Sequence, residues 1–223
     1  MDRVCWIGAL TAVAGASVMF TLADARAAEC SDVAVVFARG TNEAPGVGAV
    51  GQAFVDALTA RLPQRGIDVY GVDYPASYDF PTAVTGIIDA THHIEAVAAT
   101  CPHTKIVLGG YSQGAAVAGY TTVNSVPPGF VLPPGIDGPI PPEAASHVAA
   151  VVLFGTPQAW LVGLADHDAP PLAIGTKFTA KTLQLCAPND PVCAEGGLDR
   201  AAHHAYLDNG MTDRAADFAA AAV

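Results

Sequence analysis

The stretch that decides the fold is Lys105–Gly119, with the sequence KIVLGGYSQGAAVAG. The apolar residues before Gly110 predict a buried strand, and the alanine-rich residues after Gly114 predict a helix that begins at once. Ser112 stands at the turn, with a glycine two residues away on either side. A serine in a strained turn needs thin neighbouring chain, which glycine provides. The stretch therefore predicts a nucleophile elbow, with an ordinary glycine-rich turn as the alternative.

Strand and helix patterns alternate on both sides of this elbow. Apolar runs predict strands at residues 33–38, 67–72, 147–154 and 181–185. Helical spacing of apolar residues predicts helices over 47–62, from 84 to the Cys101-Pro102 pair, and from about Thr212 onward. Such alternation is typical of a parallel sheet with helices on both faces, whose ligand sites lie at the carboxyl ends of the strands.

The composition indicates one α/β domain with a large core. The chain has 223 residues, of which 52% are hydrophobic. Its 21 acidic and 10 basic residues give a formal net charge of −11, which disfavours nucleic acid and anionic membranes as partners. Neutral substrates fit this charge better.

The first 27 residues have the pattern of an export signal. Arg3 precedes a largely apolar run over residues 4–22, and Ala25-Arg26-Ala27 forms an A-x-A site. We expect a signal peptide over 1–27 and a mature domain over 28–223, with an uncleaved membrane anchor as the alternative. The protein would then be secreted, free in solution or associated with the cell wall, with no stable membrane span after processing.

Four cysteines remain after the expected cleavage, namely Cys30, Cys101, Cys186 and Cys193. An even number in an exported protein predicts two disulfides. The seven-residue spacing makes a local Cys186–Cys193 bridge the simplest choice, which leaves Cys30 with Cys101. A metal site is the alternative, but the cysteines form no C-x-x-C pair, and we expect none.

Two segments lack regular periodicity. Val126–Pro142 contains seven prolines and predicts a stiff loop. Because this segment leads from a helix back to a strand, we expect it on the face opposite the elbow; a protein-binding proline-rich segment is the alternative. Residues 158–175 are irregular and contain four large apolar residues that would line an apolar wall or form a core helix: Trp160, Leu161, Val162 and Leu164.

A serine nucleophile needs a base to take its proton and an acid to orient that base. In folds with this elbow the acid and then the histidine follow the serine along the chain. Asp190 follows the fifth predicted strand, and His203 and His204 come after it, so the order matches.

The remaining histidines and acids fit this role less well. His103 and His147 each precede a predicted strand, so both should lie at the opposite edge of the sheet. His167 lies on the irregular segment near the elbow and stays a candidate. The competing acids, which are more often solvated surface groups, are Asp166, Asp168 and Asp199.

Taken together, these motifs resemble the cutinases, in particular their actinobacterial, mycobacterial-type esterases. The matching residues span nearly the whole mature chain: Cys30, Ala38-Arg39-Gly40-Thr41, Gly110-Tyr111-Ser112-Gln113-Gly114, Cys186 through Cys193, and His203-x-x-Tyr206. The resemblance implies an α/β-hydrolase fold, a three-layer sandwich with a central, mostly parallel sheet and no lid domain. It also implies a serine esterase that needs no cofactor and cleaves short to medium acyl esters, polyesters or lipids. We expect the protein to be a monomer.

The resemblance also implies roles for single residues. Ser112 would be the nucleophile and Asp190 the acid. His203 would be the base, because the family has an aromatic residue three positions after the base and Tyr206 stands there.

The same resemblance assigns the oxyanion hole to Thr41, through its backbone N–H and hydroxyl, and to the backbone N–H of Gln113. Two features depart from the fungal members, which usually have serine in place of Thr41 and lack an excursion like Val126–Pro142. The alternative function is that of a catalytically weak wall-surface or lipid-binding protein that kept the fold.

Overall fold

The computed structural model describes Met1, residues 30–126 and residues 131–223. The predicted signal peptide lies outside the described residues apart from Met1. Five strands form one sheet in which every neighbouring pair is parallel, in the spatial order β2-β1-β3-β4-β5. The strands are β1 (Val33–Ala38), β2 (Ile67–Gly71), β3 (Lys105–Tyr111), β4 (Val148–Phe154) and β5 (Thr182–Leu185).

Helices cover both faces of this sheet. They are α1 (Gly48–Arg61), α2 (Val84–Thr100), α3 (Gln113–Thr121), α4 (Pro142–His147), α5 (Ala159–Ala165), α6 (Thr176–Thr179) and α7 (Met211–Ala220), with 3₁₀ helices at Phe80–Ala83 and Ala202–Leu207. No helix in the described part of the chain has the length and apolarity that a bilayer crossing requires.

The interior strand β1 is buried on both sides, which explains its unbroken apolar sequence. Its residues alternate between the two faces: Val33, Val35 and Phe37 pack in one cluster with α1 and α7. Their neighbours Ala34 and Val36 pack in the other cluster with α2 and α3. The predicted three-layer sandwich with a parallel sheet is therefore confirmed.

Both predicted disulfides are present. Cys30 and Cys101 join the chain ahead of β1 to the end of α2, across 71 residues. Cys186 and Cys193 close a seven-residue loop directly after β5.

Two loop predictions need correction. Residues 131–140 do not lie away from the elbow, because Leu132, Ile136 and Ile140 line the same cavity as Ser112. The prolines specify an irregular chain but not its direction, which packing against α2 decides. The segment 158–175 is not irregular throughout, since it contains α5, whose residues are all at least partly exposed. Of the four apolar residues predicted for a wall, Leu161, Val162 and Leu164 line the cavity, whereas Trp160 is 60% exposed and does not. The alternative of a core helix is right about the helix and wrong about the core, since α5 has no buried residue.

Candidate active site

The elbow has the strained geometry that its sequence predicts. Ser112 has φ 56° and ψ −118°, in a region that residues with a side chain rarely adopt. A Cβ atom at Gly110 would collide with the backbone of Gly114, and one at Gly114 would collide with the carbonyl oxygen of Ala38. The two glycines let strand, turn and helix approach closely, and the Ser112 N–H donates to Phe154 O at 2.9 Å. The turn is therefore fixed to the neighbouring strand β4.

Three side chains from distant parts of the sequence form one hydrogen-bonded chain at this elbow. The Ser112 Oγ lies 2.8 Å from His203 Nε2. The other ring nitrogen, His203 Nδ1, lies 2.9 and 3.0 Å from the two carboxylate oxygens of Asp190. Asp190 is fully buried, whereas the His203 side chain keeps 13% of its surface exposed. The arrangement can move a proton from the serine hydroxyl to the imidazole while the carboxylate holds the ring.

The buried Asp190 carboxylate is held by several neighbours. The Val192 N–H donates to Oδ1 at 2.8 Å, and the Tyr206 hydroxyl donates to Oδ2 at 2.6 Å. The Sγ of Cys193 lies 3.2 Å from the same Oδ2, so the disulfide loop encloses the acid. The hydrogen bonds from the Val192 N–H and the Tyr206 hydroxyl compensate for burial of a carboxylate away from water.

Tyr206, which the sequence indicated only by its spacing from His203, binds the proposed acid directly. Its hydroxyl accepts a hydrogen bond from the Ala187 N–H at 3.1 Å while it donates to Asp190. Burial, together with the hydrogen bond to Asp190, raises the pKa of Tyr206 well above its ordinary value. The hydroxyl therefore stays protonated and keeps donating to the carboxylate. Only the spacing His203-x-x-Tyr206 pointed to this residue, and it did not reveal the bond.

The residue before the nucleophile also holds the histidine. The Tyr111 hydroxyl donates to the backbone oxygen of His203 at 2.6 Å, and the two rings stack with centroids 5.1 Å apart. Burial raises the pKa of Tyr111 above its usual range, so this donor stays protonated.

His204, the residue after His203, is exposed, and its ring makes no hydrogen bond among the described residues. The structure therefore brings His203, and not His204, to Ser112.

The other predicted candidates lie apart from this chain of bonds. His147 contacts Thr104 O, ahead of β3, at the opposite edge of the sheet as expected. His167 and Asp168 are exposed. Asp199 is also exposed, and it accepts a hydrogen bond from the Ala201 N–H.

Thr41 and Gln113 meet beside Ser112. The Thr41 hydroxyl lies 3.3 Å from Gln113 Oε1, and the Gln113 side-chain amide donates to Ser77 O at 3.1 Å. Within the described residues, the backbone N–H groups of Thr41 and Gln113 make no hydrogen bond. The Gln113 N–H is also at the first residue of α3, where helix amides attract negative charge. Two free donors therefore lie next to the serine.

Buried polar bonds hold the loop that carries Thr41. Arg39 is 3% exposed, and its guanidinium donates to Glu43 O at 2.9 Å, Val72 O at 3.3 Å and Tyr74 O at 2.5 Å. The Tyr74 hydroxyl donates in return to Arg39 O. The sequence pointed to Arg39 only as part of a motif, because two of its three partners, Val72 and Tyr74, lie more than thirty residues away.

The described residues contain one cluster with metal-ligand geometry, formed by Cys186, Asp190 and Cys193. Both cysteines are bonded to each other in a disulfide and offer no thiolate. The cluster therefore does not fit a metal ion.

A cavity of about 640 Å³ begins at Ser112, Thr41 and Gln113 and continues between α2 and α3. Its size is in the usual range for a small-molecule site. Its walls are mostly apolar, so the site can accept an apolar group beside the serine.

Comparison with known families decides the assignment. The model of the cutinase family matches residues 29–223. The chain belongs to the cutinase family. Probable carboxylesterase Culp5 of Mycobacterium tuberculosis is 52% identical over 167 residues, which cover 75% of this chain and 93% of that protein. Phospholipase Culp4 of the same organism is 44% identical over 214 residues, which cover 95% of this chain and 88% of that one.

Solved structures agree with this assignment. The cutinase of Trichoderma reesei, in complex with a C11Y4 phosphonate inhibitor, matches with a TM-score of 0.61 and 34% identity over 85% of this chain and 75% of that one. The catalytic core domain of acetyl xylan esterase from the same fungus matches with a TM-score of 0.67 at 24% identity, over 87% of this chain and 100% of that one, and shows the fold alone. The predicted cutinase resemblance is confirmed, and this cutinase is a carboxylic ester hydrolase.

Proposed function

We propose that this cutinase is an exported serine esterase that works through an acyl-enzyme on Ser112. The hydrogen-bonded chain from Ser112 through His203 to Asp190 supports the proposal most strongly. Its three members occupy the positions that the family resemblance assigned to nucleophile, base and acid.

The first half of the reaction forms the acyl-enzyme. His203 Nε2 accepts the Ser112 proton as Oγ attacks the ester carbonyl, and Asp190 stabilises the resulting imidazolium through Nδ1–H. The carbonyl oxygen becomes an oxyanion, which the free N–H groups of Thr41 and Gln113 stabilise. The imidazolium then donates its proton to the leaving alkoxide, so the alcohol departs and the acyl group stays on Oγ.

The second half releases the acid and restores the enzyme. His203 takes a proton from a water molecule, whose oxygen attacks the acyl carbonyl. Collapse of the second oxyanion expels Ser112 Oγ, which recovers its proton from the imidazolium. The products are one carboxylic acid and one alcohol, and no redox step or external cofactor enters the balance.

The substrates we propose are neutral esters with short to medium acyl chains, polyesters or lipids. Relatives named as carboxylesterase and phospholipase support this range, as does a cavity with mostly apolar walls. The net charge of −11 disfavours strongly anionic surfaces as substrates.

Export is part of the proposal. The N-terminal pattern over residues 1–27 is that of a signal peptide, and two disulfides are typical of proteins that leave the reducing cytosol. N-terminal sequencing of protein recovered from culture medium tests this part. An intact residue 1 on membrane-bound protein would contradict it.

A fluorophosphonate label separates this proposal from a lipid-binding protein without catalysis, which the apolar cavity would also suit. We expect stoichiometric label on Ser112, none in Ser112→Ala, and loss of ester hydrolysis in proportion to labelling. Labelling that Ser112→Ala does not abolish, or hydrolysis that survives full labelling, would contradict the proposal. The Ser146→Ala variant is the matched control and should label normally, because Ser146 is exposed and does not line the cavity.

A further inference from the structure

The cavity beside Ser112 is deep, apolar and longer than a short ester needs. Its volume is about 640 Å³, and Asp166 is the only charged residue among the described residues that line it. Thr41, Ser112 and Gln113 line its end at the elbow, and most of the remaining lining is apolar, with Thr91, Tyr120, Thr121, Asn124, Ser125 and Asp166 as the other polar residues. A mostly apolar site with polar groups at the reacting end accepts a molecule that has one polar group and a long apolar part.

One wall of the cavity is formed by the proline-rich segment, through lining residues between Leu132 and Ile140. Residues 131–140 lie over α2, where a Cβ atom at Gly135 would stand 3.5 Å from Ile88 Cγ2. Ile140 is 4% exposed and belongs to the core cluster on this face of the sheet. The segment is thus packed onto the domain and closes the cavity along one side.

Hydrogen bonds fasten the opposite wall, formed by residues 166–174, to the end of α3. The Tyr120 hydroxyl donates to Pro170 O at 2.5 Å. Asn124 Oδ1 accepts from the Thr176 N–H at 2.9 Å and from its hydroxyl at 3.1 Å. Burial raises the pKa of Tyr120 to about 12, so its hydroxyl stays a donor at neutral pH. Both walls are therefore preformed.

The length of the cavity follows from α3, which runs along it. Residues that line the cavity occur on this helix from Gln113 to Thr121, and lining residues continue through Val123 to Val126. Eight residues of helix rise about 12 Å. An extended chain advances about 1.2 Å per bond, since one residue of three bonds spans about 3.5 Å. The helical part alone thus accommodates roughly ten bonds.

The position of His203 decides which side of the ester enters. The imidazolium must give its proton to the leaving alkoxide, so the alcohol lies next to His203. The cavity is lined by Ser112, Thr41 and Gln113 but by no residue of the 3₁₀ helix Ala202–Leu207 that carries His203. The acyl chain, on the other side of the carbonyl, therefore points into the cavity.

We propose that this cavity binds an acyl chain of about ten to twelve carbons, and that the walls formed by residues 132–140 and by the chain at the end of α3 set this preference for esters of medium- to long-chain fatty acids. The inference rests on the proposed serine esterase function and narrows its substrate. Each fully buried CH₂ contributes about fourfold to binding, and a half-buried one about twofold. The chain-length profile should therefore rise steeply rather than peak at acetyl or butyryl esters.

The test is kcat/KM for p-nitrophenyl acetate, butyrate, octanoate, decanoate and dodecanoate, each below its aggregation limit. We expect a rise of about twofold to fourfold per CH₂ up to decanoate or dodecanoate. Ala116→Phe, one helical turn from the elbow, should move the optimum to acetate or butyrate, and Val123→Trp, beyond α3, should move it to octanoate. Val131→Trp is the matched control on the same segment, since Val131 is 85% exposed and outside the lining, and should leave the profile unchanged.

Three results would overturn the inference while the esterase proposal stands. They are a profile that falls from butyrate onward, a Val123→Trp profile equal to that of the unmodified protein, and a rise that follows the alcohol chain of alkyl acetates instead of the acyl chain. A binding measurement covers the case in which no ester is hydrolysed. Equilibrium dialysis of Ser112→Ala should show methyl dodecanoate binding at least about 250-fold more tightly than methyl butyrate, with the difference reduced by Val123→Trp. Equal binding of the two esters would refute the inference without reference to catalysis.

Discussion

Tyr206→Phe removes one oxygen from the buried support of the proposed acid and leaves the ring in place. The Tyr206 hydroxyl donates to Asp190 Oδ2 at 2.6 Å and accepts from the Ala187 N–H at 3.1 Å. A hydrogen bond to a charged group contributes about 1.5–3 kcal/mol, and a buried amide left without an acceptor costs about 1–3 kcal/mol. Because the freed groups can partly relax, we expect a total loss of about 3 kcal/mol in the free energy of unfolding.

The same substitution should also slow the reaction. Asp190 loses a partner that fixes its orientation, so His203 is held less firmly toward Ser112. We expect kcat to fall about tenfold, a change of about 1.4 kcal/mol, with little change in KM. Thermal unfolding should shift downward by about 6–12 °C for a protein of this size.

Tyr111→Phe is the matched control for this prediction. It also removes a buried hydroxyl donor, but that donor bonds a neutral backbone oxygen, His203 O, at 2.6 Å. Its expected cost is about 1 kcal/mol in stability, with a smaller effect on kcat. The assays are thermal unfolding and steady-state hydrolysis of p-nitrophenyl butyrate. Unchanged kcat and unchanged unfolding temperature in Tyr206→Phe would refute the reasoning.

Three further predictions concern the disulfide loop, the oxyanion hole and pH. Cys193→Ser should lower ester turnover while the far-UV circular dichroism stays that of the folded domain. The reason is that the bridge encloses the proposed acid, whereas its loop closure contributes only about 2 kcal/mol to stability. Loss of both signals would mean that the bridge holds the whole domain. Thr41→Val should reduce kcat about a hundredfold if the hydroxyl serves the oxyanion, Thr41→Ser should retain most of it, and equal rates in both variants would exclude that role. Burial lowers the pKa of His93, and the charges of Asp68 and Asp89 oppose this effect only in part. The folded state therefore resists protonation of His93, and the free energy of unfolding should fall as the pH drops below about 6.5. Urea unfolding at pH 7.5 and 5.0 should show a smaller pH difference in His93→Gln than in the exposed control His92→Gln, and equal differences would contradict the assignment.

The elbow and the sheet were predictable from the sequence because their signals are local. Gly110, Ser112 and Gly114 lie within five residues, and a Cβ atom at Gly110 would collide with Gly114 of the same turn. In a parallel sheet the residues that follow each strand lie at the same edge, which is why Asp190 after β5 was expected near Ser112. The Cys186–Cys193 bridge was predictable from spacing for the same reason.

Other parts of the site depend on contacts that no local pattern encodes. The bond from Tyr206 to Asp190 joins residues sixteen positions apart across a loop, and Arg39 contacts carbonyl groups more than thirty residues away. Residues 131–140 were expected on the wrong face, since proline specifies stiffness without direction. The helix α5 stayed one of two alternatives because its seven residues are nearly all apolar and show no polar face.

The central claim is that His203 takes the proton of Ser112, and the pair His203→Ala and His204→Ala tests it most directly. The His203 ring lies 2.8 Å from Ser112 Oγ, whereas the exposed His204 ring makes no hydrogen bond within residues 30–126 and 131–223. General base catalysis contributes about a hundredfold to ten-thousandfold to the rate. In His203→Ala, kcat for p-nitrophenyl butyrate should therefore fall by at least about a hundredfold, while the unfolding temperature changes little. His204→Ala should keep most of the activity. Full activity in His203→Ala, or a collapse of kcat confined to His204→Ala, would contradict the account.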